Sequence, residues 1–407
     1  MLLILFPDKF TKSVFYKLQI KYLKDRLNTK VEINDLFTLL NKNWEKAFSE
    51  RRYGRVKVFK KISEWKKYFK SKIQSEKKLY VMNLLDFNSF KSLIIHYELY
   101  KSKVKIIQLR SPEVCVENKS NYYNFFQKIS KAIELTFTNF ARLVYFIKMK
   151  FLYKLGTIMK FEELIVLYSG KKKNLLPNLN SKKISYESIH SSDYSNHLLL
   201  KSVKKKKKLT NRSFIVFLDG TAPYFIDDLA LYGYKINYDQ VSWYKDLNNF
   251  LKLTEEHFKS RVIIIPHPRV RHRKNPYYDK RFEIGGDVGA SNKLIPNSKF
   301  VLAITSSTAV SYCVINYKPI TLIYNEQIKK NNLTTFSEMK FMSKVLKTGF
   351  ININNEFYKN KFSMTINKKI YDKYKYDYLT SKKISRKMNH EIINDILLKE
   401  DQKTFLR

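Results

Sequence analysis

Three short stretches in the second half of the chain carry residue types that do chemistry. The first is Asp219-Gly220 in FLDGTAPYFIDD, directly after an apolar run. A carboxylate at a strand tip is a candidate general base, and the glycine beside it leaves room for close approach of backbone or substrate. The same pair also reads as a plain Asp-Gly turn that ends a strand. Asp227 and Asp228 follow at loop distance and suit the role less well. The second stretch is RVIIIPHPRVRHR, in which an apolar run ends in His267-Pro268 and leads into Arg269, Arg271 and Arg273. Pro268 restricts His267 to an extended backbone, which holds the imidazole at a strand terminus. Arginines just beyond it grip phosphate oxygens in pairs. The third is FVLAITSSTAVSYCVI, where an apolar run closes on Ser306, Ser307 and Thr308. One of these hydroxyls is expected to cap a following helix, whose free N–H groups would then face an anion without glycine. Capping alone needs only one of the three.

Other chemistries lack their residues. Asp-x-Asp, a carboxylate pair that holds a metal–nucleotide, is missing, and His390-Glu391 has no second histidine to complete HExxH. No GxSxG elbow occurs. Cys115 and Cys313, the only two cysteines, stand far apart without CxxC, so neither a disulfide framework nor a cysteine zinc site is expected. Nine glycines in 407 residues, roughly 2% against the usual ~7%, supply no GxxxxGK or GxGxxG loop. No metal and no resident cofactor is implied.

Positioning three such stretches takes a scaffold of strands whose ends line up. Short apolar runs alternate with amphipathic, charge-rich segments from the first residue, the pattern of βα units around a parallel sheet. Strands are expected at 2–6, 30–33, 79–82, 104–108, 164–168 and 184–186, then at 214–218, 262–265, 300–304 and 320–324. Helices are expected at 125–161, 240–258, 307–315 and 385–400. The length exceeds one hydrophobic core, so two domains follow. We place an N-terminal α/β domain at 1–203, a basic linker at 204–212 around Lys204–Lys208, a C-terminal α/β domain at 213–380, and a helix at 381–407 that packs back on the first domain. Two Rossmann-like halves would face a cleft, and ligands in open α/β sheets bind beyond the carboxyl ends of the strands.

Charge sets the class of partner. With 78 Lys+Arg against 36 Asp+Glu the formal charge is +42, which suits nucleic acid, an anionic membrane face or phosphorylated substrates. Lysine recurs along the whole chain, however, and no nucleic-acid motif accompanies it. Within 125–161, Lys128, Lys131, Arg142, Lys148, Lys150, Lys154 and Lys160 sit among Phe, Leu, Ile and Tyr, so this segment is either a crossover helix or a face for anionic lipid. The opening MLLILFPDKF lacks a basic n-region, and no run reaches the ~20 apolar residues of a span. A cytoplasmic protein, peripheral at most to the inner membrane face, is expected.

The order Asp219-Gly220, His267-Pro268, Ser306-Ser307 and then Lys318-Pro319 resembles the nucleotide-binding half of GT-B glycosyltransferases, in particular bacterial sialyltransferases and Kdo-type transferases of surface polysaccharide. The resemblance covers about residues 213–325. It implies a GT-B-like α/β fold with a nucleotide-sugar donor, possible CMP-linked sugars among them, bound by the second domain and a glycan or lipid-linked acceptor by the first. It implies Asp219 as base, His267 on the donor phosphate and Ser306-Ser307 as phosphate cradle, with Thr308, Arg269, Arg271, Gly220 and Pro268 in support. In the sialyltransferases the base lies in an acidic-acidic-Gly motif; here Leu218 stands at its first position. A CDP-polyol-phosphate transferase of teichoic-acid type is the alternative, and it needs a second histidine, His190 or His197. A non-enzymatic basic protein that binds membrane or nucleic acid is the other.

Overall fold

The computed structural model describes the chain except residues 27–29, 42–49, 111–114, 116–139, 172–178, 204–213, 221, 224–235, 268–274, 286–288, 306, 358–361, 385–386 and 406–407. It divides into two compact units. Unit 1 comprises Met1–Pro112, Val144–Asn196 and Thr380–Arg407; unit 2 comprises Glu113–Leu143 and His197–Leu379. The basic linker expected at 204–212 lies outside the described residues.

Unit 1 is built on β1 (Leu2–Phe6), β2 (Val31–Asp35), β3 (Lys57–Val58), β4 (Tyr80–Asn83), β5 (Lys105–Arg110), β6 (Lys160–Tyr168) and β7 (Asn180–Ser188). Their order is 3-2-1-4-5-6-7 and every pairing is parallel. Parallel strands are buried on both faces and therefore read as continuous apolar runs, as LLILF does. Leu3 and Leu5 face a core shared with Trp65 and Phe69 of α4 (Ile62–Ser75) and Ile95 and Leu99 of α5 (Phe90–Ser102). Leu2 and Ile4 face the opposite core, where Ile392, Ile396 and Leu397 of the C-terminal helix Asn389–Phe405 pack beside Ile20 and Leu23. The helices α1 (Lys12–Lys17), α2 (Ile20–Arg26) and α3 (Phe37–Leu40) precede these in the chain, and α6 (Phe140–Ile158) and α7 (Ser192–Val203) follow.

Unit 2 repeats the plan with β8 (Phe214–Leu218), β9 (Arg261–Ile265), β10 (Glu283–Ile284), β11 (Val301–Ala303), β12 (Ile320–Tyr324) and β13 (Gly349–Asn352). The order is 10-9-8-11-12-13, again all parallel. Its helices are α8 (Gln240–Phe258), α9 (Ala290–Leu294), α10 (Val310–Ile315), α11 (Glu326–Asn331), α12 (Leu333–Leu346) and α13 (Lys368–Tyr374). Both units are thus Rossmann-like α/β sheets, the fold class that the alternating runs imply.

Some expectations need correcting. Helix 125–161 is α6 over its described part, and Lys160 and Phe161 open β6 instead of ending the helix. Residues 125–139, with Lys128 and Lys131, lie outside the described residues. The C-terminal helix begins at Asn389, four residues later than expected. Three edge strands, β3, β10 and β13, are absent from the sequence reading because their KV, EI and GFIN are short and, unlike the similarly short VLA of β11, are not buried throughout.

The segment leading into the C-terminal helix is stitched to unit 1 around His190. Its Nδ1 meets Thr380 Oγ1 at 2.7 Å and its Nε2 meets the Lys387 carbonyl at 2.7 Å, while the Asn389 side chain pairs with both backbone groups of His190. Burial pushes the His190 imidazole down to about 4, and that of His96, set between Asn83 and the Ser92 carbonyl, also to about 4. Both are depressed below the unfolded value of about 6.5, so the unfolded chain takes up protons that the folded one refuses. Stability should be full above pH ~6.5 and fall as pH drops towards 4, by up to about 2 kcal/mol per histidine at pH 5. Chemical denaturation between pH 7.5 and 4.5 checks this. His190→Gln is expected to remove about one proton from the number taken up on unfolding.

Candidate active site

In unit 2 the chain runs outward from β8 through β9 and β10, then returns to the other side of β8 as β11. The boundary between β8 and β11 is therefore the topological switch point, where an open α/β sheet leaves a crevice beyond its carboxyl ends. Leu218 is in register with Ile265 on one side and Ala303 on the other. The pairing continues one residue further, because Asp219 N donates to the Ile265 carbonyl at 3.0 Å and Ile304 N donates to the Leu218 carbonyl at 3.2 Å. Asp219 is the first residue past β8, and His267 stands two residues past β9. Thr305, Ser307 and Thr308 follow β11. Three segments separated by about 40 to 50 residues in sequence thus end at one edge of three adjacent strands.

Asp219 is only 6% exposed. Its Oδ1 accepts the Gly220 N–H at 2.8 Å. Burial pushes its carboxyl up to about 7, against the opposing pull of Tyr278 and of the Gly220 N–H. The Tyr278 hydroxyl is enclosed and sits close enough for its own ionisation to be driven well up by burial and by Asp219, yet it closes no well-aligned hydrogen bond. The Tyr278 ring meets Tyr244 of α8 edge-on at 5.2 Å, and Tyr244 stacks on Tyr277 at 5.3 Å. Tyr244 and Tyr278 are members of the site that the sequence reading passes over. The signal was the tyrosine pair Tyr277-Tyr278 on the return from the arginine run, visible only once β8 and α8 are adjacent.

The other expected residues fare differently. A Cβ at Gly220 would meet nothing nearer than Thr305 Cβ at 3.6 Å, an ordinary contact, so packing within the protein does not demand a glycine there. His267 is half-buried. The helix after β11 starts at Val310, with Ala309 in the capping position and no side-chain cap, so neither Ser307 nor Thr308 stands where the cap was expected, and Ser306 lies outside the described residues. Ser307 Oγ instead accepts from Ala309 N at 3.2 Å within the preceding turn. The reason is local: residues 307–309 form a turn, which delays the helix and leaves it six residues long. Lys318 stands two residues before β12, at the end of the sheet opposite Asp219, and its Nζ donates to the Ser298 carbonyl at 2.8 Å. Pro268, Arg269, Arg271, Arg273, Ser306, Asp227 and Asp228 lie outside the described residues. Of the two further histidines, His190 has both ring nitrogens engaged, whereas His197 meets Asn292 Oδ1 at 3.3 Å and its enclosed Nε2 has no partner. Among the described residues no cluster of three His, Cys, Asp or Glu could hold a metal ion.

No family model matches the chain, and no curated protein matches it. Among solved structures it is similar to the wall teichoic acid polymerase TagF, at 11% identity over 100% of this chain and 90% of that one, with a TM-score of 0.48. It is similar to MurG of Acinetobacter baumannii at 8% identity, 98% and 99% coverage and a TM-score of 0.46. UDP-GlcNAc 2-epimerase of Neisseria meningitidis, bound to UDP-GlcNAc, gives 10% identity, 98% and 100% coverage and a TM-score of 0.45. At such values the chemistry has to be read from this chain's own residues. Its own topology is that of two α/β units, each a wholly parallel Rossmann-like sheet.

Asp219 carries a stability signature. Its carboxyl titrates at about 7 when folded and near 4 when unfolded, so ionisation of the unfolded chain draws stability away as pH rises from ~4 to ~7. Asp219→Asn keeps the Oδ1 acceptor for Gly220 and has no charge to bury. It should be more stable than the wild type at pH 8 by on the order of 1–4 kcal/mol, with the two converging below pH ~4. Thermal or chemical melts at both pH values measure the difference.

Proposed function

We propose that the chain is a GT-B-type, metal-independent glycosyltransferase that moves a sugar from a nucleotide donor to a glycan acceptor with inversion. The observation that carries this reading is a single carboxyl, raised to about 7, at the switch point of a Rossmann-like sheet. A general base works best when its pKa lies near the operating pH. Asp219 would take the proton from an acceptor hydroxyl as that oxygen bonds to the anomeric carbon. The bond from that carbon to the donor phosphate breaks, and the electron pair leaves with the nucleotide. His267 would steady the charge that develops on the departing phosphate, with Ser307 and Thr308 holding its oxygens by hydroxyl groups. Gly220, which the protein's own packing does not require, would leave space for the sugar.

Within this class the Asp-Gly, His-Pro and Ser-Ser order favours a CMP-linked nonulosonic acid or Kdo as donor and a bacterial surface polysaccharide or lipopolysaccharide as acceptor. Unit 1 would take the acceptor at the carboxyl end of β5. There the Gln108 amide Nε2 and the Arg110 Nε are enclosed donors without a partner, while the Arg110 guanidinium only grazes Asp86 at 3.4 Å. Hydroxyls or acidic groups of a glycan would satisfy both.

Purified protein incubated with a panel of CMP-, UDP- and GDP-sugars tests the reading. Asp219→Ala and His267→Ala are expected to lose transfer, by roughly 10²–10⁴-fold for the base, with melting curves that still show a folded protein. Full activity in both variants would remove the mechanism. Gly220→Ala separates a structural glycine from a functional one: its stability should stay within about 1 kcal/mol of wild type while its KM for donor rises.

A further inference from the structure

Helix α6 shows an apolar face to solvent. Its inner side is settled by two observations: Leu152 is fully buried, and a Cβ at Gly156 would fall 2.5 Å from the ring of Phe87, a member of the core, so the helix lies tight against that core. At 100° per residue the opposite side is the row Val144, Ile147, Phe151 and Ile158. These are 47%, 61%, 52% and 72% exposed. Exposed Lys148 borders the row on one side, and exposed Lys150 and Lys154 border it on the other. The helix has no Asp or Glu in its 19 residues.

We propose that the outer face of α6 seats unit 1 on an anionic lipid bilayer, with Ile147 and Phe151 in the acyl boundary and the flanking lysines among the phosphates. A row of apolar side chains that faces water and is fenced by cations on both sides has the layout of a helix lying in the plane of a membrane interface. The charge excludes the nearest competitor. A second copy of this chain would bring the same lysines and another +42 to the contact, so like charges would face each other across it. Nucleic acid supplies phosphates and stacks its bases on aromatic rings, but three of the four side chains in the row, Val144, Ile147 and Ile158, are aliphatic and stack no base. No described helix is long and apolar enough to cross a membrane, so the contact is one of lying on the surface.

The test uses the full chain and sedimentation with vesicles of phosphatidylcholine, alone or mixed with phosphatidylglycerol. Wild type should partition onto the mixed vesicles and leave them as salt rises. Ile147→Glu with Phe151→Glu should lose binding at least tenfold, and Lys148→Gln, Lys150→Gln and Lys154→Gln together should weaken it on the order of 10²-fold. Phe151→Trp, a conservative change at an exposed site, should bind like wild type and shift its fluorescence to the blue on the mixed vesicles. Wild-type binding without preference for the anionic lipid, unchanged binding by the glutamate pair, or a tryptophan whose emission does not move while protein is bound would each overturn the proposal. So would light scattering that shows the glutamate pair turning a dimer into a monomer, which would give the face to a second copy. Binding is read without any substrate, so its failure and that of the chemistry in unit 2 are told apart.

Discussion

The parallel hydrogen-bond register that joins β9, β8 and β11 constrains every other feature of unit 2. A polar side chain inside a strand covered on both faces is taken from water, at a cost that stays uncompensated unless it finds a partner. FIVFL and VLA carry no polar side chain, and the single arginine of RVIII is exposed and paired with Glu283. Polar chemistry is pushed to the first positions beyond the ladder, and in a parallel sheet those positions emerge at one edge. The backbone bonds from Asp219 to Ile265 and from Ile304 to Leu218 carry the alignment one step past the strands, which is why residues far apart in sequence share a locality.

That location also sets the electrostatics. Asp219 is close enough to the sheet interior to lose its hydration, and far enough out to keep two compensating groups, the Gly220 N–H and the Tyr278 hydroxyl. Desolvation wins over both, so the carboxyl rests near neutrality instead of in the usual carboxylate range. A carboxylate fully served by donors would stay ionised and hold its charge weakly basic. A carboxyl buried among apolar groups alone would stay protonated at neutral pH. The intermediate state, with Oδ1 bonded to the Gly220 N–H and a tyrosine hydroxyl nearby that closes no aligned hydrogen bond, is the one that exchanges a proton near pH 7.

Much of this could be read before any coordinates, and the reason is the same burial. Runs such as LLILF and FIVFL announce strands, their alternation with amphipathic segments announces crossovers, and Asp219 and His267 stand out because they follow such runs directly. What escaped was decided by contacts across the fold. β3 and β10 have two residues each and little apolar content, so they pair only because longer neighbours offer an edge. Tyr278 enters the site through a ring contact with Tyr244, more than thirty residues earlier. The hydroxyls at 306–308 suggested a cap, but the turn after β11 takes up Ser307 first, and Ala309 stands where the cap was expected. His190, attractive as a chemical group, is consumed by Thr380 and the Lys387 carbonyl.

Helix α6 shows a different limit on such reading. Its sequence mixes lysine with Phe, Leu, Ile and Tyr all round the helix, so periodicity reports apolar residues on two sides and cannot say which side meets the sheet. A Cβ at position 156 would collide with Phe87, and that single steric fact turns Leu152 and Gly156 inward. Val144, Ile147, Phe151 and Ile158 are then left outside, with no described core residue to cover them. Burial against the protein's own sheet already fixes the inner face of this helix. The outer face therefore contributes nothing to folding, and an apolar row kept there at the cost of exposure is explained by a partner that, like a lipid surface, offers acyl chains and negative charge together.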